Sequence, residues 1–323
     1  MRYLITGGLG FIGSHLVERL HADGHDLAVV DDLDQTLYPK GIKEKRLAHY
    51  LTWSNFIFSE ADISTPGFMR LVSRLEAFGW KPDIIVHLAA LAGVRPSLEE
   101  PGRYSTVNVV GSTQVFEFAR RMGCPRVISA SSSSVYGRLR PPYKEDMALT
   151  QVISPYALSK LQAELTADYY ARTCGLHTIS LRFFTVFGPR SRPDMFIPRA
   201  LQMIDRGETL TLFGDGSTYR DYTYIDNILS GLLSMLYSEK SRPGEHDVYN
   251  IGAGQKTSLL DLVHAMEEVV GKTAKIKHIE EQNGDMPGTV ADISKLRSRF
   301  NYEPESSLLD GLQATWDDHD NLH

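Results

Sequence analysis

The first 31 residues restrict the fold more than any other part of the chain. RYLIT is a short apolar run typical of a buried strand, and the segment GGLGFIGSHLVERLHADG then changes to helical spacing. The join between them carries Gly7, Gly10 and Gly13, in a G-x-x-G-x-x-G pattern. A second strand-like run, LAVVDDLD, ends in acidic residues. This order of strand, glycine turn, amphipathic helix, strand and acid predicts an α/β unit at the start of the chain.

The glycine turn indicates a dinucleotide site. Glycines at such a join let the backbone approach a pyrophosphate, which the amides of the helix N-terminus stabilise. Asp31, 18 positions beyond Gly13, lies where an acid would accept the adenosine ribose hydroxyls. An acid there would repel a 2′-phosphate, so the pattern favours NAD over NADP. The glycines taken alone are also compatible with a turn in some other α/β unit.

The alternation of strands and helices continues through the next hundred residues. NFIFSEADI, KPDIIVHLAALAG and RVISASS are strand-like, and VVGSTQVFEFARRMG has helical spacing. Strands that alternate with helices predict a doubly wound parallel sheet. Ligands of such sheets bind at the carboxyl ends of the strands. Here those ends are Gly7, Asp31, Asp62, Ala89–Ala90 and the serine run at 131–134.

Composition excludes several classes of protein. The chain has 323 residues and a formal net charge of −6, with its basic residues scattered, so nothing favours a nucleic-acid partner or an anionic membrane surface. Cys124 and Cys174 are too few for a disulfide framework and lack metal-ligand spacing. The apolar runs are far shorter than the ~20 residues of a membrane span. We expect a cytoplasmic protein without a metal site.

A second candidate for chemistry follows the serine run. In SPYALSK, Ser154 and Pro155 are typical of a helix start, and Tyr156 and Lys160 are four residues apart on one helical face. A lysine cation and the helix N-terminus would lower the pKa of the phenol, which could then remove a hydroxyl proton from a substrate. This spacing also occurs by chance in surface helices, so its weight comes from its position after the glycine turn and the serines.

The motifs together resemble the extended short-chain dehydrogenase/reductase family, in the branch of NAD-dependent nucleotide-sugar epimerases and dehydratases. The resemblance is carried by TGGLGFIGSHL, HLAALAGV, ISASSSSVYG, SPYALSK, RFFTVFGPR, GDGSTYRDYTYIDN, YNIGAG and GDMPGTVADISK, nearly the whole chain. It implies a Rossmann NAD-binding domain over 1–182 plus about 220–252, and a smaller C-terminal α/β domain for the nucleotide sugar over about 183–219 and 253–323. It also implies a homodimer and a UDP-sugar substrate.

The resemblance assigns roles to individual residues. Ser132, three positions before the valine of the V-Y-G segment, is implied to be catalytic together with Tyr156 and Lys160. The implied NAD contacts are Gly7, Gly10, Phe11, Ile12, Gly13, Asp31, Asp32, Asp62, Ile63, Leu88, Ala89, Ala90, Asn108, Tyr156 and Lys160. The implied substrate contacts are Arg95, Ser133, Ser134, Thr185, Arg192, Arg220 and Asp285. The arginine usual two positions before that last acid is replaced by Asn283.

The same resemblance narrows the reaction. Dehydratases of the branch carry Asp and Glu where this chain has Ser133 and Ser134, so elimination of water is not expected. Galactose-type epimerases usually carry Asn where this chain has Thr185. RFFTVFGPRSRPDM, LAALAGVRPS and GDMPGTVADIS most resemble the UDP-glucuronate 4-epimerases. A C5 carboxylate would suit the hydroxyl donors Ser132, Ser133, Ser134 and Thr185.

Three alternatives remain open at this point. A UDP-glucose 4-epimerase and a UDP-glucuronate decarboxylase share the first chemical step, oxidation of the sugar at C4. A catalytically silent NAD-sensing regulator could use the same fold, but Ser132, Tyr156 and Lys160 would then serve no purpose. Ser133 and Ser134 could also be a polar strand end that bonds only backbone.

Overall fold

The computed structural model describes residues 1–36, 39–238, 241–280 and 288–318. The strands in these ranges, in chain order, are β1 Arg2–Thr6, β2 Asp26–Asp31, β3 Phe56–Glu60, β4 Ile84–His87, β5 Arg126–Ser132, β6 His177–Phe183, β7 Thr185–Phe187, β8 Thr209–Phe213, β9 Tyr219–Arg220, β10 Tyr222–Tyr224, β11 His246–Ile251, β12 Thr257–Ser258 and β13 Lys275–Ile279.

The α-helices, again in chain order, are α1 Phe11–Ala22, α2 Lys40–Tyr50, α3 Pro66–Ala77, α4 Val94–Glu99, α5 Pro101–Tyr104, α6 Gly111–Met122, α7 Pro155–Cys174, α8 Phe196–Asp205, α9 Ile225–Leu236, α10 Leu259–Val270, α11 Ser294–Phe300 and α12 Leu308–Asp317. A π-helical turn spans Ser105–Val110, and a 3-10 turn spans Ser133–Tyr136. Among the helices described here, none has the length and apolar content needed to cross a membrane.

Seven strands form one sheet in the order β11-β6-β5-β4-β1-β2-β3. The pairs β1–β2, β1–β4, β2–β3 and β4–β5 are parallel. The strand order reverses between β1 and β4, because β2 and β3 extend the sheet on one side and β4 and β5 on the other. Ligands of open α/β sheets bind at this reversal, outside the carboxyl ends of the strands. The doubly wound α/β sheet predicted from the sequence is confirmed.

The central strands β1, β4 and β5 are buried along nearly their whole length, as expected where helices cover both faces of a sheet. Leu4, Ile85 and Val127 of neighbouring strands are fully buried, and they pack with Phe116 and Phe118 of α6 in one hydrophobic cluster. The edge strand β3 is less buried than the centre. A rigid central sheet holds the strand ends at fixed positions along one edge.

The chain divides into two compact units. The first comprises 1–137, 148–182 and 236–249, and contains the large sheet except for the last residues of β6 and β11. The second comprises 138–147, 183–235 and 250–323.

The second unit is built from three two-stranded sheets and the helices α8 to α12. The strand pairs are β7–β10, β8–β13 and β9–β12. Leu210 and Leu212 of β8 pack with Leu201 of α8, Met266 of α10 and Leu312 of α12 in a second hydrophobic cluster. The segment 138–147 joins this unit through Tyr143, which bridges to Ala291 and exchanges backbone hydrogen bonds with Val290 and Asp292.

Candidate active site

The glycine turn lies at the point where the strand order reverses. The amide of Gly7 donates to the carbonyl of Val30 at 2.7 Å, which ties the end of β1 to β2. Gly7 has a φ of +71°, and a Cβ there would lie 2.7 Å from the backbone nitrogen of Ala89. Only glycine combines that backbone conformation with so close an approach of the segment after β4.

Helix α1 begins directly after this turn. Gly10 is its N-cap and offers no side chain to the amides of the first turn. A Cβ on Gly13 would lie 2.2 Å from the carbonyl oxygen of Gly7, so the helix and the turn are in direct backbone contact. Amides at a helix N-terminus that lack a side-chain acceptor are suited to an anionic group such as a pyrophosphate.

A crevice opens beside the turn, along the carboxyl ends of β1, β2, β3 and β4. The predicted cofactor residues that line it are Gly7, Gly10, Asp31, Asp32, Asp62, Ile63, Leu88, Ala89 and Ala90. Val30, Asp34, Lys43, Ala61, Leu91, Arg103 and Val107 complete the lining. Phe11, Ile12 and Gly13 lie in the first turn of α1. The structure therefore brings the strand ends that the sequence singled out to one edge of the sheet.

Asp31, at the end of β2, is only 4% exposed. One of its carboxylate oxygens accepts the amide of Leu33 at 3.0 Å, and the other accepts the amide of Leu9 at 3.2 Å. The ammonium of Lys43 donates to Asp31 Oδ1 at 2.8 Å. Lys43 escaped the sequence reasoning because nothing in KGIKEKRL distinguishes it from the other lysines of a polar helix.

Arg103 and Asp34, which the sequence did not indicate, line the same end of the crevice. Arg103 pairs with Asp34 at 2.7 Å and with Glu100 at 3.2 Å. The side chain of Asp32, a predicted cofactor contact, is 39% exposed, compared with 3% for Asp31. Partial burial nevertheless raises the pKa of the Asp32 carboxyl. This end of the crevice therefore combines three carboxylates with two cations.

The serine run ends the central strand β5 and turns away from it. Ser132 is the last residue of β5, and Ser133 and Ser134 open the 3-10 turn. The amide of Ser134 donates to Ser132 Oγ at 3.2 Å, while the Ser132 hydroxyl donates to Ser134 Oγ at 3.1 Å. Ser133 and Ser134 are half-buried. The run is thus an ordered cap on the strand end.

Helix α7 begins as its sequence predicts. Pro155 is its first residue, and the side chain of Ser154 accepts the amide of Ala157 at 3.1 Å. Tyr156 is half-buried in the first turn, with its ring 6.2 Å from that of Tyr104. Lys160 lies one turn further on the same face.

Lys160 ties α7 to the strand that carries Ser132. Its ammonium donates to the carbonyl of Ala130 at 2.9 Å. Burial lowers the pKa of Lys160 to about 8, and the nearby charge of Glu164 opposes that shift. The helix face that carries Tyr156 is thereby held next to the end of β5.

A buried ion pair reinforces the same junction. Arg182 of β6 donates to both carboxylate oxygens of Glu164 on α7, at 3.0 and 2.8 Å, and to the Tyr136 hydroxyl at 3.0 Å. The hydroxyl of Ser131, the neighbour of Ser132, donates to Glu164 Oε1. Every member of this network is at most 5% exposed. Sequence reasoning missed it, because its members lie on four separate elements.

Two buried polar side chains support the wall of the crevice. The Asn108 amide exchanges hydrogen bonds with the backbone of Leu91 at 2.8 and 3.0 Å and donates to Ser159 Oγ at 3.0 Å. His87 contacts Thr6 Oγ1 at 2.7 Å, and burial lowers the pKa of its imidazole to about 3. A neutral imidazole at the end of β4 acts in packing and hydrogen bonding.

The second unit holds three of the residues predicted to bind substrate. Thr185 is half-buried at the start of β7, and Arg220 ends β9. Arg192 precedes α8 and forms a two-pronged pair with Asp194, with both contacts at 2.9 Å. Asp285 lies outside the described residues.

Arg220 precedes a buried carboxylate that the sequence did not indicate. Asp221 is fully buried and accepts the amides of Ala253, Gly254 and Ala291 at 2.9 to 3.0 Å. Burial raises the pKa of Asp221, and these donors oppose the rise. The carboxylate joins three segments of the second unit and so fixes the strand position of Arg220.

Arg95 is exposed on the short helix α4 of the first unit. In the ranges that the structure describes, no group of three or more His, Cys, Asp or Glu side chains could hold a metal ion. The side chains predicted to act in catalysis are the phenol of Tyr156, the ammonium of Lys160 and the hydroxyl of Ser132.

The sequence is similar to a known family and to individual members of it. A model of the NAD dependent epimerase/dehydratase family matches residues 3–252. The UDP-glucuronate 4-epimerase of Thermodesulfobacterium geofontis is 36% identical over 314 residues, which span 97% of this chain and 94% of that protein.

Solved structures are similar over the whole chain. The UDP-glucuronic acid 4-epimerase of Bacillus cereus, in complex with UDP-glucuronic acid and NAD, has a TM-score of 0.90 at 33% identity and covers 100% of both chains. The UDP-glucose 4-epimerase of Thermotoga maritima has a TM-score of 0.86 at 29% identity and covers 99% of both chains. The match of the family model to more than two thirds of the chain, together with these relatives, shows that this protein belongs to the NAD dependent epimerase/dehydratase family.

Proposed function

We propose that this protein is an NAD-dependent 4-epimerase of a UDP-sugar, and that it interconverts UDP-glucuronate and UDP-galacturonate. The observation that carries this proposal is the junction of α7 with β5. It places the Tyr156–Lys160 face of the helix beside the strand end at Ser132, along the same sheet edge as the crevice. The similarity to UDP-glucuronate 4-epimerases supports the choice of sugar.

The first unit offers the features that NAD requires. The Gly7–Gly13 turn and the uncapped amides of α1 suit the pyrophosphate, and Asp31 suits the adenosine ribose. Bound NAD would supply an acceptor for the hydride of sugar C4 and return it later. We assign NAD binding to the first unit and nucleotide-sugar binding to the second.

The proton steps belong to the protein. Tyr156, as its phenolate, takes the proton of the C4 hydroxyl while C4 is oxidised to a ketone, and it returns that proton when C4 is reduced on the opposite face. The ammonium of Lys160 favours the phenolate electrostatically, and the Ser132 hydroxyl orients the C4 oxygen. Inversion at C4 follows if the 4-keto sugar turns over between the two hydride transfers.

The other residues predicted to bind substrate suit its two anionic groups, the diphosphate and the C5 carboxylate. Arg220 and Arg192 would pair with the diphosphate, since guanidinium groups bind phosphate oxygens in a two-pronged way. Ser133, Ser134 and Thr185 would donate hydroxyl hydrogen bonds to the C5 carboxylate. Such bonds would hold the carboxylate near the plane of the C4 ketone and so suppress the loss of CO₂ from this β-keto acid.

UDP-glucose 4-epimerisation is the second candidate, favoured by the similarity to the Thermotoga maritima enzyme. Purified protein should be incubated with UDP-glucuronate and, separately, with UDP-glucose, without added NAD, and the products resolved by chromatography and proton NMR. We expect UDP-galacturonate from the first incubation. UDP-galactose alone would overturn the uronate assignment, and a UDP-pentose as the main product would identify a decarboxylase.

We also propose a homodimer that assembles through α7, and a cytoplasmic location. Leu158 and Leu165 are 45% and 64% exposed and lie seven residues apart on one face of α7, which a second copy would cover. Both cysteines are free thiols, which suits a reducing compartment. Sedimentation of the native protein and of Leu165→Glu tests the dimer. We expect a dimer in the first and a monomer in the second.

A further inference from the structure

Lys43 brings a buried cation to the adenosine-ribose end of the crevice. Its ammonium lies 2.8 Å from Asp31 Oδ1 and 4.0 Å from Asp32 Oδ1. The side chains of Lys43 and Asp31 are 9% and 3% exposed, and both residues line the crevice. A buried ammonium is stabilised by a carboxylate partner, which offsets the loss of water around the charge.

Asp31 does not depend on Lys43 for its position. The amides of Leu9 and Leu33 hold its two carboxylate oxygens from two different loops. Lys43 is held in turn by the backbone of α2, which runs from Lys40 to Tyr50. Removing the charge of Asp31 would therefore leave the Lys43 ammonium in the crevice with its main counter-charge gone.

Arg103, the other cation that lines the crevice, is less available than Lys43 to bind a 2′-phosphate. Arg103 is balanced by the carboxylates of Asp34 and Glu100, and its guanidinium also donates to Thr36 Oγ1 at 2.8 Å. A dianionic 2′-phosphate on the ribose would be repelled by the negative charges of the Asp31 and Asp32 carboxylates. In the native protein these carboxylates neutralise Lys43 and exclude the phosphate.

We propose that Lys43 determines cofactor choice together with Asp31: the charged pair accepts the unphosphorylated ribose of NAD, and Lys43 without the Asp31 charge receives the 2′-phosphate of NADP. The inference rests on the proposed placement of the adenosine ribose beside Asp31. It assigns Lys43 a role in specificity.

The test compares binding of NAD and NADP by nucleotide-free protein, measured by calorimetric titration, in the native chain and in three variants. Asp31→Asn removes the charge and keeps one carbonyl oxygen, which can accept one of the two amides that hold Asp31. We expect it to shift the ratio of affinities toward NADP by at least about 10-fold. Adding Lys43→Met should abolish that shift, whereas adding Arg103→Met should preserve it.

The possible outcomes distinguish a failure of this inference from a failure of the proposed cofactor site. An equal shift toward NADP in Asp31→Asn with and without Lys43→Met overturns the role of Lys43. Unchanged affinity for both nucleotides in all variants overturns the ribose placement as well. Circular dichroism establishes that each variant is folded. If Asp31→Asn does not fold, the single variant Asp31→Ser and the double variant Asp31→Ser, Lys43→Met give the same comparison.

Discussion

The guanidinium of Arg182 forms a two-pronged hydrogen bond with the carboxylate of Glu164, in a position where both side chains are at most 6% exposed. This pair connects β6 to α7, and its carboxylate also accepts the hydroxyl of Ser131. It therefore holds the segment that ends in Ser132 against the helix that carries Tyr156.

Breaking this pair from one side should be strongly destabilising. Glu164→Ala leaves the Arg182 charge buried without its counter-ion, and we expect it to lower the free energy of unfolding by about 3–5 kcal/mol, measured by urea denaturation. The matched control is Asp168→Ala on the same helix, since Asp168 pairs with the 75% exposed Arg172 and should contribute less than about 1 kcal/mol. Equal losses in the two variants would contradict a structural role for the buried pair.

Removing the phenol hydroxyl should stop the chemistry and leave the cofactor in place. Tyr156→Phe keeps the ring but loses the group that moves the C4 proton, so kcat should fall by about 10²- to 10⁴-fold. Bound NAD, released by denaturation and quantified, should stay at the native level. Tyr169→Phe, on an exposed part of α7, is the matched control and should be fully active. A Tyr156→Phe enzyme within a few-fold of native activity would remove Tyr156 from the mechanism.

The buried ammonium of Lys160 predicts a loss of activity in mild alkali. Burial lowers its pKa from 10.5 to about 8, so the group is charged below that pH and neutral above it. Because the charged form favours the Tyr156 phenolate, kcat/KM for the native enzyme should decline as the pH rises through about 8. Lys160→Arg, whose guanidinium does not titrate in this range, should be slower but should lack this decline. The same alkaline decline in Lys160→Arg would assign it to another group.

The serines after Ser132 are expected to protect the product. In the double variant Ser133→Ala, Ser134→Ala the C5 carboxylate loses two hydroxyl donors, so the 4-keto intermediate should lose CO₂ more often. Mass spectrometry should detect a UDP-4-ketopentose by-product that the native enzyme does not release. Unchanged epimerisation without that by-product would contradict the proposed carboxylate contacts and leave Ser133 and Ser134 as polar residues at the end of a strand.

The glycine turn allows a test by steric substitution. Alanine at Gly13 would place its Cβ 2.2 Å from the Gly7 carbonyl oxygen and 2.8 Å from Gly8 Cα, so the turn has to move and bound NAD should be lost on purification. Gly24 has a positive φ of +79°, unlike Gly13, and no atom lies within 4 Å of the position that a Cβ would take there, so Gly24→Ala should cost about 1 kcal/mol and retain NAD. Full NAD content in Gly13→Ala would contradict the proposed cradle.

Features that depend on neighbouring residues could be predicted from the sequence. The start of α7 at Pro155, with Ser154 as its cap, and the turn between β1 and α1 both follow from local backbone preferences. The alternation of strands and helices indicated the doubly wound sheet, and with it the edge where Asp31, Asp62 and Ala89 meet. Parallel strands bring their carboxyl ends to one edge whatever the details of packing.

Features that join distant segments were decided by the tertiary structure. The fold brings Lys43 of α2 to Asp31 at the end of β2 and Arg182 of β6 to Glu164 of α7, and Tyr143 belongs to the second unit through its bridge to Ala291. The sequence does not show which opposite charge a charged side chain will pair with, because folding brings the two side chains together and buries them. The strength of such a pair depends on distance and burial, which the order of residues alone does not contain.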